Sequence, residues 1–133
     1  MKFIKHQLSV DDIKTLTKQE VERFHESALW GDPEPGEFFY DFSTDKVHML
    51  KEVRTEDSSY YLVYEDGKTD DWDTCFPLLD MGQFLDLLSY DTNIEVRSWG
   101  NGWLVLYEGR FFEADREELV DVLFKVLKTK LSH

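Results

Sequence analysis

Residues 94–108 read IEVRSWGNGWLVLYE and predict a β-hairpin. Both arms are rich in β-branched and aromatic residues, which favour strands. Between the arms lie Gly100, Asn101 and Gly102, residue types that accept a positive φ in a tight turn. We therefore expect this hairpin to be the element around which the rest of the chain packs.

The register of the hairpin decides which of its side chains face the core. With a three-residue loop, Trp99 pairs with Trp103 and Arg97 with Val105. The aliphatic face then consists of Ile94, Val96, Leu104 and Leu106. With a two-residue loop one strand turns over, and the side chains beside Ile94 and Val96 are those of Trp103, Val105 and Tyr107. We favour the three-residue loop because it separates charged from aliphatic side chains.

The first quarter of the chain carries two capping boxes, in which a side-chain oxygen accepts a hydrogen bond from a backbone amide at a helix start. One joins Ser9 to Asp12, and the other joins Thr17 to Glu20. The predicted helices span residues 10–16 and 18–30. Prolines and glycines in residues 31–36 cannot continue a helix and end the second one.

A change to period-two alternation after residue 37 predicts a four-stranded meander. Asp66 and Gly67 form a tight turn within it, and Pro77 closes it. The predicted strands span residues 38–43, 47–53, 60–65 and 68–76.

Two further helices flank the hairpin of residues 94–108. Asp80 with Gln83 caps a helix of about ten residues, and Asp115 with Glu118 caps the last helix. The last helix follows a short strand over residues 110–113 and runs to about residue 131.

The order of elements is thus helix, four strands, helix, two or three strands, helix. Short connections favour antiparallel neighbours. We predict a single α+β domain over residues 1–133, with a largely antiparallel sheet and helices packed on one face.

Acidic residues outnumber basic ones by 28 to 15, which gives a formal net charge of −13. Such a surface repels nucleic-acid phosphates and anionic membranes, since affinity for both depends on Lys and Arg. A partner with a basic surface is the complement, and nucleic-acid-binding proteins commonly have one. The acidity also has a simpler explanation, because net charge by itself serves solubility.

The chain contains no apolar run near the ~18 residues that a membrane span requires, and its first residues, MKFIKHQLSVDD, lack the apolar core of a signal peptide. We therefore expect a cytosolic protein. Cys75 is the single cysteine, which excludes an intramolecular disulfide and a thiolate metal cluster.

The sequence has no Gly-rich phosphate loop, no Gly-x-Ser-x-Gly and no Cys-x-x-Cys, so we predict no enzyme, no cofactor and no metal. Glu22 and His25 form one Glu-x-x-His pair, which a di-iron bundle needs twice, and we assign them to an exposed helix face. An alternative hypothesis is a small enzyme or ligand-binding domain that uses Cys75 as nucleophile, His48 as its base and the acidic hairpin.

Four aspartates surround the turn at residue 66, without the glycine and glutamate spacing of a calcium-binding hand. We interpret them as a solvated acidic hairpin that suits a basic partner. The Trp and Tyr residues exceed what one small core easily hides, and exposed aromatic residues are favoured interface anchors. The candidate interaction surface consists of Asp66, Asp70, Asp71, Asp73, Trp72, Trp99, Trp103 and Tyr107.

Two segments resemble the small uncharacterised accessory proteins of phages and prophages of low-GC Gram-positive bacteria. The first is WDTCFPLLDMGQFLDLL, residues 72–88, with its Trp, Pro and short amphipathic helix. The second runs from Gly102-Trp103 through Phe111 to Leu127, a Gly-Trp strand followed by a capped helix. Such proteins often block host enzymes or defence systems, and the resemblance implies a context of that kind without implying an activity.

These observations favour a non-enzymatic cytosolic protein that acts through protein-protein interaction. A sharper version is a phage or mobile-element inhibitor that mimics DNA and occupies the basic cleft of a nucleic-acid-binding host protein. An immunity protein against a basic toxin and a self-associating structural protein are further alternatives. We expect no direct binding to nucleic acid or membrane, and a homo-oligomer is compatible with the sequence.

Overall fold

The computed structural model of the chain describes residues 6–27, 33–57, 59–90, 92–115 and 117–132, apart from the side chains of residues 59, 60 and 72. The chain divides into two compact units. Unit 1 combines Met1–Leu8 with Leu79–His133, and unit 2 consists of Ser9–Leu78. The single-domain organisation stays a prediction.

Unit 2 begins with two short helices, and both predicted capping boxes are confirmed. The hydroxyl groups of Ser9 and Thr17 accept the N–H of the third helical residue at 3.2 and 3.1 Å. Ser27 has extended backbone, so the second helix ends before the predicted residue 30, and residues 28–30 lie outside the described residues. The helices are α1, Val10–Lys14, and α2, Lys18–Glu26.

Five antiparallel strands follow in unit 2, in the spatial order β4-β3-β2-β1-β5. The long strand β2 has a bulge between Leu50 and Glu52 and pairs with β1 before the bulge and with β3 after it. A bulge bends a strand and increases its twist. The strands are β1, Phe38–Asp41; β2, Lys46–Glu56; β3, Ser59–Tyr64; β4, Thr69–Asp71; and β5, Cys75–Pro77.

The predicted strand over residues 68–76 is wrong, because a 3₁₀ turn, Trp72–Thr74, interrupts it. The turn redirects the chain so that β5 leaves the neighbourhood of β3 and pairs with β1 instead. Pro77 ends β5 opposite Phe39, at an outer strand of the sheet, where a missing N–H is tolerated. A single hairpin arm thus becomes two strands on opposite edges.

The sheet of unit 2 is strongly curled. Asp41 on β1 and Asp70 on β4 are hydrogen-bonded through their side chains, although β3 and β2 lie between the two strands. In a flat sheet three strand spacings would separate them by ~14 Å. The contact therefore requires the sheet to roll into a small, partly closed barrel. Its interior contains Phe39, Leu50, Leu62, Tyr64 and Cys75.

Unit 1 contains a three-stranded antiparallel sheet in the order β6-β7-β8 and two helices. The last helix packs on β7 and β8, and Phe84 and Phe124 bring the two helices together with ring centroids 6.5 Å apart. Gln7 bridges to Asp80, which ties the beginning of the chain to this unit. The elements are α3, Met81–Leu88; β6, Ile94–Trp99; β7, Gly102–Tyr107; β8, Arg110–Ala114; and α4, Leu119–Leu131.

The preferred register of the hairpin is wrong, and the two-residue loop is the correct alternative. Trp99 pairs with Gly102 and Ser98 with Trp103, so only Gly100 and Asn101 form the loop. Gly100 has a φ of +57°, as the first central position of a type II′ turn requires. That turn matches the twist of the strands, and this geometry outweighs the neater separation of charges. Val105 and Tyr107 consequently face the core, and Leu104 and Leu106 face the other side.

The cap of α3 is confirmed, and that of α4 is wrong. Asp80 accepts the N–H of Gln83 at 2.8 Å. Helix α4 begins at Leu119 after an extended Glu118 that makes no side-chain cap hydrogen bond, so Asp115 lies too far upstream to cap it. The predicted apolar face of α4 is buried as expected.

The mixed α+β class with antiparallel sheets is confirmed. Where sequence analysis predicted one sheet, the strands divide between a five-stranded and a three-stranded sheet. None of the described helices has the length and apolar character to cross a membrane.

Candidate functional site

The negative charge of the protein is concentrated in unit 2. Residues 9–78 carry 18 of the 28 acidic and 7 of the 15 basic residues, a net charge of −11. The remainder carries 10 acidic and 8 basic residues, a net charge of −2. An electrostatic partner would therefore be drawn to unit 2 first.

Unit 2 contains two adjoining depressions of ≈ 940 and ≈ 490 Å³ that share Ser43 and Thr74. The larger depression lies between α2 and the 3₁₀ turn, and the smaller one continues past β4 to Tyr61 on β3. Together they form one concave surface, which we call the acidic groove. Volumes of this size suit a peptide segment or a few large side chains.

One wall of the groove is a stripe of helix α2. Lys18, Glu22 and Glu26 follow one another at four-residue intervals and are all exposed. Glu22 and Glu26 are like charges one turn apart, an arrangement that destabilises a helix by about 0.2–0.5 kcal/mol. A cation supplied from outside would remove this repulsion.

The opposite wall carries two further exposed carboxylates. Asp71 ends β4, and Asp73 lies in the 3₁₀ turn that follows. Both line the groove, Asp71 in the smaller and Asp73 in the larger depression. Carboxylates thus face the groove from both walls.

The floor of the larger depression is apolar. Leu16 and Val21 are half-buried, and Phe42 is 39% exposed with its ring in edge contact with Tyr40 at 5.2 Å. An apolar floor between acidic walls can bury hydrophobic side chains while the rim pairs with charges.

His25 occupies the groove wall between Glu22 and Glu26. Burial lowers the pKa of its imidazole, against the opposing effects of a hydrogen bond to the Cys75 backbone and of the Asp73 charge. The ring is therefore neutral near pH 7. This side chain adds no positive charge to the groove at that pH.

Asp70 reaches the smaller depression from below and is only 9% exposed. Its carboxyl accepts hydrogen bonds from the hydroxyls of Tyr64 at 2.7 Å and Thr74 at 3.1 Å. It also contacts the buried carboxyl of Asp41, which accepts both hydrogen bonds of Ser43, at 2.9 and 2.7 Å. Two carboxyl groups can hydrogen-bond to each other only when one of them carries a proton.

Asp70 is the member of this pair that binds a proton more readily, since its pKa is raised and that of Asp41 is lowered. Burial raises the pKa of Asp70, and its contact with Asp41 raises it further. Burial alone would raise the pKa of Asp41 as well, but the hydrogen bonds from Ser43, Asp70 and Thr44 together outweigh it and hold that pKa below its usual value. Opposite shifts of two touching carboxyls are the arrangement in which one stays protonated and the other ionised.

Only part of the predicted acidic hairpin is therefore exposed to solvent. Asp71 and Asp73 are exposed in the groove, whereas Asp70 is held in the interior. Asp66 lies elsewhere, where it accepts the N–H of Lys68 at 2.9 Å and contacts Nδ1 of His48 at 3.1 Å.

Among the predicted aromatic residues, Trp99 lies on the opposite face of the unit 1 sheet from Trp103 and Tyr107. Trp99 is 58% exposed at the end of β6, Trp103 is half-buried on β7, and Tyr107 is buried with its hydroxyl 2.9 Å from Nζ of Lys130. All three belong to unit 1, whereas the residues that line the groove belong to unit 2. The side chain of Trp72 is outside the described part of the chain.

Cys75 and His48, the residues of the enzyme hypothesis, both lie inside the barrel of unit 2. The ring of His48 stacks on Tyr64 with centroids 4.5 Å apart, and its Nδ1 is directed to Asp66. Burial raises the pKa of the Cys75 thiol to about 12. The group is therefore a buried thiol, and a thiol is a much weaker nucleophile than a thiolate.

Sequence reasoning missed the helix wall of the groove, because Glu22 and Glu26 fall on the solvent-facing side of a predicted amphipathic helix. The signal was present as two like charges one turn apart with a cation only at one end. Among the described residues, no group of three or more His, Cys, Asp and Glu side chains could hold a metal ion.

No protein-family model, no curated protein and no solved structure matches this chain.

Proposed function

We propose that this protein acts in the cytosol by binding a protein partner, and that the acidic groove of unit 2 receives a basic segment of that partner. The observation that carries the proposal is the combination of an apolar floor with carboxylates on both walls. A segment with Lys or Arg next to a large apolar side chain would satisfy both parts of the groove.

Electrostatics support the choice of partner. Glu22 and Glu26 repel each other on one wall, and Asp73 faces them from the other. A Lys or Arg between the walls would relieve that repulsion and gain attraction from each side. The net charge of −11 on unit 2 would also speed the encounter with a basic protein and repel an acidic one.

In its sharper form, the proposal makes the protein an inhibitor, of phage or mobile-element origin, that occupies the nucleic-acid site of a host protein. The support is the sign of the charge, which unit 2 shares with a phosphate backbone. An inhibitor of this kind competes with nucleic acid for one surface, so duplex DNA should displace it.

The test is capture of proteins from a bacterial lysate at about 50 mM and about 500 mM NaCl, since salt screens such contacts. The groove variant carries Glu22→Gln, Glu26→Gln and Asp73→Asn. The control variant carries Asp11→Asn, Glu65→Gln and Asp86→Asn, which remove three exposed carboxylates outside the groove. Both variants have a net charge of −10.

We expect a basic protein to be captured at low salt by the wild type and the control variant, and not by the groove variant. Release by duplex DNA would support the inhibitor form. Capture that survives high salt, or that both variants lose equally, would contradict binding through the groove and leave the acidity as a general surface property.

A further inference from the structure

Within the described part of unit 1, the three-stranded sheet has one face covered by a helix and one open face. Helix α4 covers the face of Val105 and Tyr107, as the contact between Lys130 and the Tyr107 hydroxyl shows. Because side chains alternate along a strand, Leu104 and Leu106 lie on the opposite face.

The strand register arranges the open face in two rows. One row runs from Glu95 through Leu106 to Phe111, and the next from Arg97 through Leu104 to Glu113. A depression of ≈ 150 Å³ between the rows is lined, among the described residues, by the sheet alone. Phe111 is 68% exposed at its side.

This composition is unusual for a sheet face in water. An antiparallel sheet with one solvated face normally presents polar residues there. Here the central strand presents Leu104 and Leu106, with Phe111 beside them and Trp99 at the end of the same face. Leu104 and Leu106 are half-buried, whereas Phe111 and Trp99 are exposed, and apolar patches that reach the surface in this way are typical of contact surfaces.

The charges that strand β6 contributes to the open face are complementary to themselves. A twofold axis across the strands, midway between the two rows, places Leu106 opposite Leu104 of a second copy. The same axis places Glu95 opposite Arg97 of the second copy, and Arg97 opposite its Glu95. These four side chains then alternate in sign around the axis, extending the Glu95–Arg97 ion pair that each chain already contains.

From this pattern we infer that the open face of the unit 1 sheet is the contact surface of a homodimer. Unit 1 is the part of the chain where a second copy can approach, since its net charge is −2 whereas unit 2 carries −11. The dimer places the two leucines of β7 at the centre and charge pairs along the rim formed by β6, in keeping with the apolar centre and polar rim of many interfaces.

Salt distinguishes this contact from the binding of a basic partner. Two copies with a net charge of −13 each repel one another over distances that salt screens. Salt also screens the ion pairs of the rim, but exposed pairs of this kind contribute little, so the loss of repulsion dominates and the dimer should tighten as salt rises. Binding of a basic protein should weaken under the same change.

Sedimentation equilibrium at about 100 mM and about 500 mM NaCl tests the inference. Phe111→Glu puts a carboxylate opposite Glu113 of the second copy and should weaken the dimer roughly tenfold or more, since facing like charges are strongly unfavourable. The control is Tyr90→Glu, which adds the same charge at a residue that is 71% exposed and outside the sheet. Thermal unfolding checks that both variants fold.

A second pair of variants covers the case in which Phe111→Glu fails to fold. Arg97→Glu makes all four charges around the axis negative. Arg54→Glu is its control, because Arg54 likewise binds a Glu two residues before it, at 2.6 Å, in a strand of unit 2.

We expect the wild type and both controls to dimerise, more strongly at high salt. A wild type that stays monomeric at both salt concentrations, a dimer that high salt weakens, or a dimer that neither Phe111→Glu nor Arg97→Glu weakens would each overturn the inference.

Discussion

Replacing Asp70 tests whether a protonated carboxyl holds the curled sheet of unit 2 together. Asp70→Ala removes the acceptor of the Tyr64 hydroxyl, which belongs to a fully buried residue. An unsatisfied buried donor costs about 1–3 kcal/mol of unfolding free energy. Asp41 would in addition lose the donor that faces it.

Asp70→Asn has nearly the same shape and keeps most of these contacts. Its amide can donate to Asp41, its oxygen can accept from Tyr64, and Thr74 retains the carbonyl of Asp71 at 2.9 Å. We therefore expect Asp70→Asn to lower the unfolding free energy by less than about 1 kcal/mol near pH 7. Asp70→Ala should lower it further, by the cost of leaving the Tyr64 hydroxyl without an acceptor.

The wild type and Asp70→Asn also differ in their dependence on pH. Because the pKa of Asp70 is raised in the folded state, its contribution is complete below the ordinary carboxyl pKa and is lost as pH rises through the raised value. The amide introduced by Asp70→Asn does not titrate. As pH rises, the wild type should therefore lose stability that Asp70→Asn keeps. The unfolding free energy of Asp70→Asn minus that of the wild type should rise by up to about 1.4 kcal/mol for each unit by which the pKa is raised.

The assay is urea unfolding followed by tryptophan fluorescence at several values between about pH 3.5 and 8, a range that begins at the ordinary carboxyl pKa, with the midpoint and slope fitted together. A difference between Asp70→Asn and the wild type that is flat or falls with pH would refute the shared proton. Equal destabilisation by Asn and Ala near pH 7 would refute the hydrogen-bond assignment.

Three further outcomes are expected. Gly100→Ala should lower the unfolding free energy by about 1 kcal/mol in thermal unfolding, because Gly100 has a φ of +57°, whereas Gly82→Ala, in helix α3 at a negative φ, should not destabilise. Asp80→Ala should cost about 1 kcal/mol as a lost helix cap and Asp115→Ala close to nothing, and equal effects would contradict the observed starts of α3 and α4. Cys75 should react with iodoacetamide near pH 8 about a thousandfold more slowly than a free cysteine, since its pKa is about 12, and should react normally after unfolding in urea; fast labelling of the folded protein would revive the nucleophile hypothesis.

Local signals in the sequence were sufficient for much of the fold. Ser9, Thr17 and Asp80 cap the helices that they were expected to cap, because a capping box is decided by residues three apart. Asp115 does not cap α4, because the same three-residue spacing occurs there by chance in a segment whose backbone is still extended at Glu118. Charge segregation along the hairpin was a weaker criterion than the conformation that Gly100 adopts.

The groove could not be read from local patterns. Its walls come from α2 and from the residues around Asp73, which are about fifty positions apart in sequence and meet only because the 3₁₀ turn sends β5 back to β1. The periodicity of polar residues predicts only that each wall is exposed to solvent, and it does not predict that the two walls face one groove. The interior position of Asp70 was equally hidden, since its partner Asp41 lies three strands away in the sheet order.

The bridge between Gln7 and Asp80 has a consequence for the order in which the chain folds. The N–H of Leu8 donates to the carbonyl of Leu79 at 2.8 Å, so the two ends of residues 9–78 emerge side by side. In an unfolded chain, closing a loop of that length costs ~4 kcal/mol of entropy. Once unit 2 has folded, its ends are already close and most of that cost is gone. The inserted unit should therefore fold first and bring together the strand segments on which the completion of unit 1 depends.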